Sequence, residues 1–172
     1  MTSYYILGTN RHHVIIQPEN FMHIRTPLLV LSLLLATSSA FAKEPFATVK
    51  EAEAMVGKAV AALKVNKQKT LDEITAKDPK WTDRDLYVMV YNMSGTVLAH
   101  GANPKMVGKD MIDFKDVDGK LFIKERMELA KSKTKFSQDY KFTDPVTKKV
   151  LPKIAYCETV DGMVACAGVY KR

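Results

Sequence analysis

Cys157-Glu-Thr-Val-Asp161-Gly162-Met-Val-Ala-Cys166 is the stretch on which the fold turns. Asp-Gly between the β-rich runs Val150 to Val160 and Met163 to Tyr170 is the strongest short hairpin signal, and it predicts a two-residue type I′ turn. That turn sets the register: Val160 pairs with Met163, Thr159 with Val164, Glu158 with Ala165, and Cys157 falls opposite Cys166. Counting outward, the cysteines occupy a non-hydrogen-bonded pair, where Cα atoms lie about 4.5 Å apart, within reach of a disulfide. A structural staple is expected, because no second pair of soft ligands and no Cys-x-x-Cys accompanies them.

The same reading extends upstream. Leu86 to Tyr91 is β-branched, aromatic or Met, and Asn92-Met-Ser-Gly95 turns it into a second strand, Thr96 to His100. With a period of two, Leu86, Val88 and Val90 share one face while Tyr87, Met89 and Tyr91 share the other, so both faces are expected inside but differ in chemistry. A further strand is expected at Lys135 to Phe142. Ahead of the strands, Val49, Ala52, Val56, Val60 and Leu63 follow helical spacing. Thr70 with Glu73 reads as a capping box that restarts a short helix carrying Leu71 and Ile74, ended by Asp78-Pro79. Lys120 to Lys133 reads as a helix with Leu121, Phe122, Met127 and Ala130 inward. Trp81 is expected to cover the end of the core. Helix, two strands, helices and three strands make an α+β plan with an antiparallel sheet.

The whole chain has 172 residues, 47% hydrophobic and 26% charged, with a net charge of +7, which is a folded single-domain composition. Two cysteines exclude a disulfide scaffold and a zinc site built on cysteine. Residues 22–42, with a short basic start, an apolar run and the ending Ala40-Phe41-Ala42, read as a secretory signal peptide cleaved after Ala42. The run is well short of the roughly 20 residues that span a bilayer. Residues 1–21 read as an over-extended N-terminus starting ahead of Met22. Removing residues 1–42 takes away Arg11, Arg25 and Glu19, leaves a net charge of +6, and leaves His100 as the only histidine. The product, residues 43–172, is expected to be one domain in the periplasm or outside the cell, not membrane-spanning.

Several segments in order resemble the single Cache domain. They are Asp85 to Asn92, Ser94 to Asp110 with its Gly101-Ala-Asn-Pro104 and Gly108, Asp116-Val-Asp-Gly-Lys120, Tyr140-Lys-Phe-Thr-Asp-Pro145, Lys153-Ile-Ala-Tyr156 and Gly168-Val-Tyr170. The resemblance covers nearly all of the mature chain. It implies a PAS-like fold with a long N-terminal helix on a central antiparallel sheet. It also implies an extracytoplasmic sensing module that binds a small metabolite, commonly a short carboxylate or an amino acid. The chain departs from the receptor pattern in lacking a transmembrane or cytoplasmic output module, so any signal would run through a membrane sensor protein or through ligand carriage.

A small anion needs fixed cationic or hydrogen-bonding groups within an apolar enclosure. The hydroxyl-bearing face offers Tyr87, Met89 and Tyr91, joined by Tyr140, Phe142, Tyr156 and Lys153. Lys153 stands among Leu151, Ile154 and Ala155, so its ammonium snorkels to an edge or meets an acidic partner inside, and an anionic ligand is one such partner. His100 either donates to a carboxylate or caps the loop that follows it. Asp116-x-Asp118-Gly119 with Glu125 lacks the opening carboxylate of a calcium loop and reads as a turn.

The leading expectation is a non-catalytic periplasmic protein that binds or senses a small molecule, a short carboxylate or similar metabolite, without cofactor or metal. The alternative is an interaction module that docks on a sensor kinase or chemoreceptor through Lys131, Lys133, Lys135, Lys148 and Lys149, without its own ligand. Nucleic-acid binding is disfavoured by export, and no nucleophile–base pair, metal triad or phosphate loop supports an enzyme.

Overall fold

A computed structural model describes residues 44–172, so the expected leader at 22–42 and the extension at 1–21 lie outside the described residues. In chain order the elements are α1 (Val49–Val65), α2 (Lys67–Thr75), β1 (Thr82–Asp83), β2 (Leu86–Asn92), β3 (Val97–His100), α3 (Phe122–Ser132), β4 (Lys135–Thr143), β5 (Val150–Val160) and β6 (Met163–Tyr170), with a 3-10 turn at Pro104–Met106. The sheet runs β1-β2-β6-β5-β4, with β3 also pairing β2, and every pairing is antiparallel. No helix among the described residues is long and apolar enough to cross a membrane.

The β5–β6 hairpin has the expected register, from Val160 opposite Met163 to Cys157 opposite Cys166. Asp161 and Gly162 take φ of +45° and +71°, the left-handed pair that a type I′ turn demands. Cys157 and Cys166 are bonded, with Cα atoms 4.1 Å apart. Because the bridge closes a short loop, reducing it should lower unfolding free energy by between about 2 and 3 kcal/mol, read as a shift in urea midpoint with and without reductant. An unchanged midpoint would show that the hairpin already restrains the unfolded chain.

Two cores lie on opposite faces of the sheet, as the alternation of β2 requires. Leu86, Val88 and Val90 join Ala165, Ala167 and Val169 beneath Ala52, Val56, Ala59, Val60 and Leu63 of α1. Alanines at the α1–β6 contact let helix and strand approach closely, and Trp81 closes the end of this core. On the other face Tyr87, Met89 and Tyr91 pack with Phe122, Ile123 and Met127 of α3 and with Tyr140.

Some local expectations change. α2 is capped by Asn66, whose side chain accepts from the Lys69 amide, and Thr70 sits inside the helix bonded back to the Asn66 carbonyl. The true capping box is Thr48 with Glu51, at the start of α1. Val49 is exposed, since first-turn residues project beyond the sheet, and Ala59 takes its place inward. Leu121 is only half-buried; the inward set of α3 is Phe122, Ile123, Arg126, Met127 and Ala130. The Asp116 loop is a turn, its carboxylate accepting from the amides of Asp118, Lys120 and Lys141.

Candidate functional site

α3 carries Phe122, Arg126 and Ala130 at successive turns, so one inward stripe places a guanidinium against the sheet. Arg126 is fully buried over the rings of Tyr91, Phe122 and Tyr140, at 5.3, 5.6 and 5.1 Å. Its Nε donates to Gln138 Oε1 at 3.1 Å, and the Gln138 amide is itself held by the Phe122 carbonyl at 2.8 Å. Both terminal nitrogens of Arg126 and the Tyr140 hydroxyl have no hydrogen-bond partner among the described residues. Tyr91 and Tyr140 feel the guanidinium's field, but neither hydroxyl bonds to its terminal nitrogens with acceptable geometry. Burial dominates their titration all the same, pushing the Tyr140 phenol up to about 12. Leaving a charge unpaired in an interior costs several kcal/mol, and ring contacts worth up to about 2 kcal/mol each return only part of that.

Lys153 is the second buried cation. It lies opposite Tyr140 on one side and opposite Tyr170 on the other, so Arg126 and Lys153 share Tyr140 as a neighbour. Its Nζ sits 3.8 Å from the Tyr87 ring centre and donates to the Tyr170 hydroxyl at 3.3 Å. That hydroxyl donates to the Thr143 carbonyl at 2.7 Å and meets the Tyr87 hydroxyl at 3.2 Å. Among the described residues no edge and no carboxylate receives the Lys153 ammonium: it is fully buried, and the buried acids Asp85 and Asp144 are committed to Arg172 at 2.9 and 2.7 Å. Burial, with Arg126 pushing the same way, holds the Lys153 ammonium well below the usual lysine range.

Beneath the two cations the sheet is bare. Gln138, Ala155 and Gly168 lie side by side across β4, β5 and β6. A Cβ at Gly168 would stand 2.6 Å from the Ile154 carbonyl oxygen and 2.9 Å from Lys153 Cε, so Lys153 needs that glycine to lie flat toward Tyr87. Gly168→Ala should therefore cost between about 1 and 3 kcal/mol by overpacking and turn Lys153 aside. Chemical denaturation measures the first effect, and unchanged stability would show that β6 can shift.

His100 caps its loop. Its Nδ1 accepts from the amides of Ala102 and Asn103 at 3.2 and 3.0 Å, which leaves the proton on Nε2, and its ring stacks on Tyr87 at 5.1 Å. Burial, then the Lys153 charge, pushes the imidazole down to about 4, so it is neutral at ordinary pH.

Thus Tyr87, Met89, Tyr91, His100, Tyr140 and Lys153 lie on one face. Phe142, half-buried, edges Phe122 at 6.1 Å beside them. Tyr156 does not join them: strand parity turns it to the α1 face, against the first core. Arg126, Gln138 and Tyr170 were missed as site residues. Arg126 was legible as the residue four after Phe122 and four before Ala130, whereas nothing local distinguishes Gln138. Wider surface clefts, such as the 460 Å³ groove bounded by Glu53, Val56, Phe136 and Tyr156, contain no buried polar atom without a partner.

A profile of the family described as single Cache domain 2 matches residues 32–164. Solved structures share the fold. A methyl-accepting chemotaxis protein from Vibrio parahaemolyticus RIMD 2210633 is 23% identical, with a TM-score of 0.60 over 70% of this chain and 86% of that one. A Cache chemosensory domain described for carboxylic acid recognition is 23% identical, with a TM-score of 0.61 over 72% and 92%. A periplasmic sensor domain of a chemotaxis protein is 21% identical, with a TM-score of 0.57 over 72% and 90%. No curated relative matches. With both its sequence profile and its sheet in agreement, the chain belongs to the single Cache domain 2 family.

Proposed function

We propose that this protein is an exported, non-catalytic sensor that binds a short carboxylate between Arg126, Tyr140 and Lys153. The observation that carries the reading is the buried guanidinium with two unpartnered terminal nitrogens. A carboxylate accepts two parallel hydrogen bonds from that fork, and the free Tyr140 hydroxyl adds a third donor. His100, Tyr87, Tyr91, Met89 and Phe142 wall the ligand. The carboxylic acid recognition described for a related Cache domain supports the same class. Export follows from the leader read at residues 22–42, and the output runs through a membrane sensor protein.

Docking without a ligand is less well supported. Two of the exposed lysines that would form its surface are already paired, Lys131 with Glu128 at 2.7 Å and Lys135 with Glu158 at 3.2 Å.

Thermal-shift titration with acetate, propanoate, lactate, succinate and amino acids tests the reading. A ligand at a hundred times its dissociation constant adds about 2.7 kcal/mol of stability. A shift with one or more monocarboxylates is expected; no shift with any compound sinks the proposal.

A further inference from the structure

Strand β4 is an edge of the sheet, and the fold closes only half of it. Its register with β5 is unbroken from Lys135 to Thr143, so its backbone groups turn alternately inward and outward. The Thr134 carbonyl accepts from the Thr159 amide and the Asp144 amide donates to the Lys149 carbonyl, each at 2.9 Å. Even-numbered residues therefore bond to β5, and odd-numbered ones point out of the sheet. Towards the end of β4 the outward groups are covered. The Lys141 amide donates to Asp116 Oδ2 at 3.0 Å, and the Asp139 carbonyl accepts from Lys120 Nζ at 2.6 Å. Nearer its start, the outward amides of Lys135, Ser137 and Asp139 and the carbonyls of Lys135 and Ser137 have no hydrogen-bond partner among the described residues. Helix α1 packs on β5 and β6, and the groove bounded by Glu53, Val56 and Tyr156 runs along Lys135 to Ser137. The β3 edge is closed by contrast: the Val97 amide donates to the Lys109 carbonyl at 3.0 Å, and the Val97 carbonyl accepts from the Gly108 amide at 2.8 Å.

An open run of outward amides and carbonyls is a template for another strand, and the side chains name the strand that fits. Laid antiparallel about Ser137, Lys135-Phe-Ser-Gln-Asp139 is its own complement: Ser137 faces itself and Lys135 faces Asp139. We propose that the β4 edge is a self-association surface, on which a second copy of this chain pairs antiparallel about Ser137 and joins the two sheets into one. Residues 135, 137 and 139 carry the outward groups, so each facing pair exchanges two backbone hydrogen bonds. Lys135 already meets Glu158 at 3.2 Å, and Asp139 already meets Lys171. Pairing sets these charges in a row on one face, in the order Glu158, Lys135, the partner's Asp139 and the partner's Lys171, alternating in sign. The Lys135 ammonium has three protons and its side chain is 74% exposed, so it serves both carboxylates. On the opposite face the half-buried Phe136 comes against the partner's Gln138. The Asp116 loop, seated on the Lys141 amide, ends the pairing just beyond Asp139 and so fixes its register. A two-fold pairing uses the open edge of both copies, so the assembly closes as a dimer instead of growing.

A contact built on one short strand belongs with small, transient interfaces, below about 1,200 Å² in total. Sedimentation velocity of the purified protein from about 5 to about 500 µM should therefore pass from monomer to dimer. Ser137→Pro removes the central outward amide without touching a bond to β5, and should leave a folded monomer over the whole range. Lys135→Asp and Asp139→Lys each bring like charges together at both ends of the pairing, and each should raise the dissociation constant about tenfold or more. Both change exposed side chains only, so they decide the matter even if the proline disturbs the strand. Mixed in equal amounts, the two charge variants regain opposite charges at both ends, and the mixture should dimerise about as well as the unaltered protein. A protein that stays monomeric at about 500 µM overturns the proposal, even if some other chain pairs along this edge. A dimer that survives Ser137→Pro and both charge variants overturns it too, because it uses another surface. Neither result touches the carboxylate reading, which rests on the opposite face of the sheet.

Discussion

Arg126→Met abolishes carboxylate-induced stabilisation and leaves the ligand-free protein as stable as the unaltered one, or up to about 3 kcal/mol more stable. The sign follows from what the guanidinium lacks. Its single hydrogen bond to Gln138 and three ring faces offset only part of the cost of desolvating a charge, and two terminal nitrogens remain unsatisfied. Methionine keeps most of the volume, contacts the same rings favourably and needs no partner. Gln138 then loses one acceptor interaction, which limits the gain by about 1 kcal/mol. Binding moves the other way, because removing one side of a buried charged pair weakens association by between about 2 and 5 kcal/mol. Urea unfolding without ligand and calorimetric titration with the best carboxylate measure the two halves. A variant that loses more than about 2 kcal/mol of intrinsic stability would mean that Arg126 holds the fold rather than the ligand.

Acid sensitivity centred on His100 is the second large effect. The folded imidazole titrates at about 4 against 6.5 for the free side chain, so between these values the unfolded chain binds the proton and the folded chain does not. Its stabilising contribution is therefore complete above pH 6.5 and falls as pH drops toward 4. The total loss is about 3 kcal/mol from the difference of the two titration points. Lys153 on β5, Lys77 and Arg126 on α3 all oppose the proton on His100. In His100→Gln the amide oxygen can still accept from the loop, and the histidine titration is gone. Subtracting its stability–pH curve from that of the unaltered protein removes the carboxylates common to both, such as Asp116 and Asp144, which titrate lower. The difference should slope by about 3 kcal/mol between pH 6.5 and 4. A flat difference would show that water reaches the imidazole and relieves its burial.

Much of the fold was legible locally because β-strand alternation and turn chemistry are local properties. Asp161-Gly162 alone implied the β5–β6 register and the Cys157–Cys166 bridge, and the parity of Leu86 to Tyr91 implied two chemically different cores. The same parity, applied on β5, separates Lys153 from Tyr156 and turns Tyr156 to the α1 face. Thr70 failed as a cap because Asn66, four residues earlier, offered the first free acceptor after α1 ended. Helix starts are decided by which competing side chain reaches the open amides, and spacing does not rank them.

What the sequence by itself determined is the α+β plan, the hairpin register, the disulfide and the face on which Tyr87, Tyr91, Tyr140 and Lys153 stand. Only the tertiary structure decided that Arg126 closes that face with two nitrogens unsatisfied, that Asp85 and Asp144 serve Arg172 instead of Lys153, and that Gly168 lets Lys153 lie flat. The physical reason is that alternation and turn geometry act between near neighbours. Whether a buried charge finds a partner depends on groups brought together from α3, β4, β5 and the chain end, and no local pattern encodes that meeting.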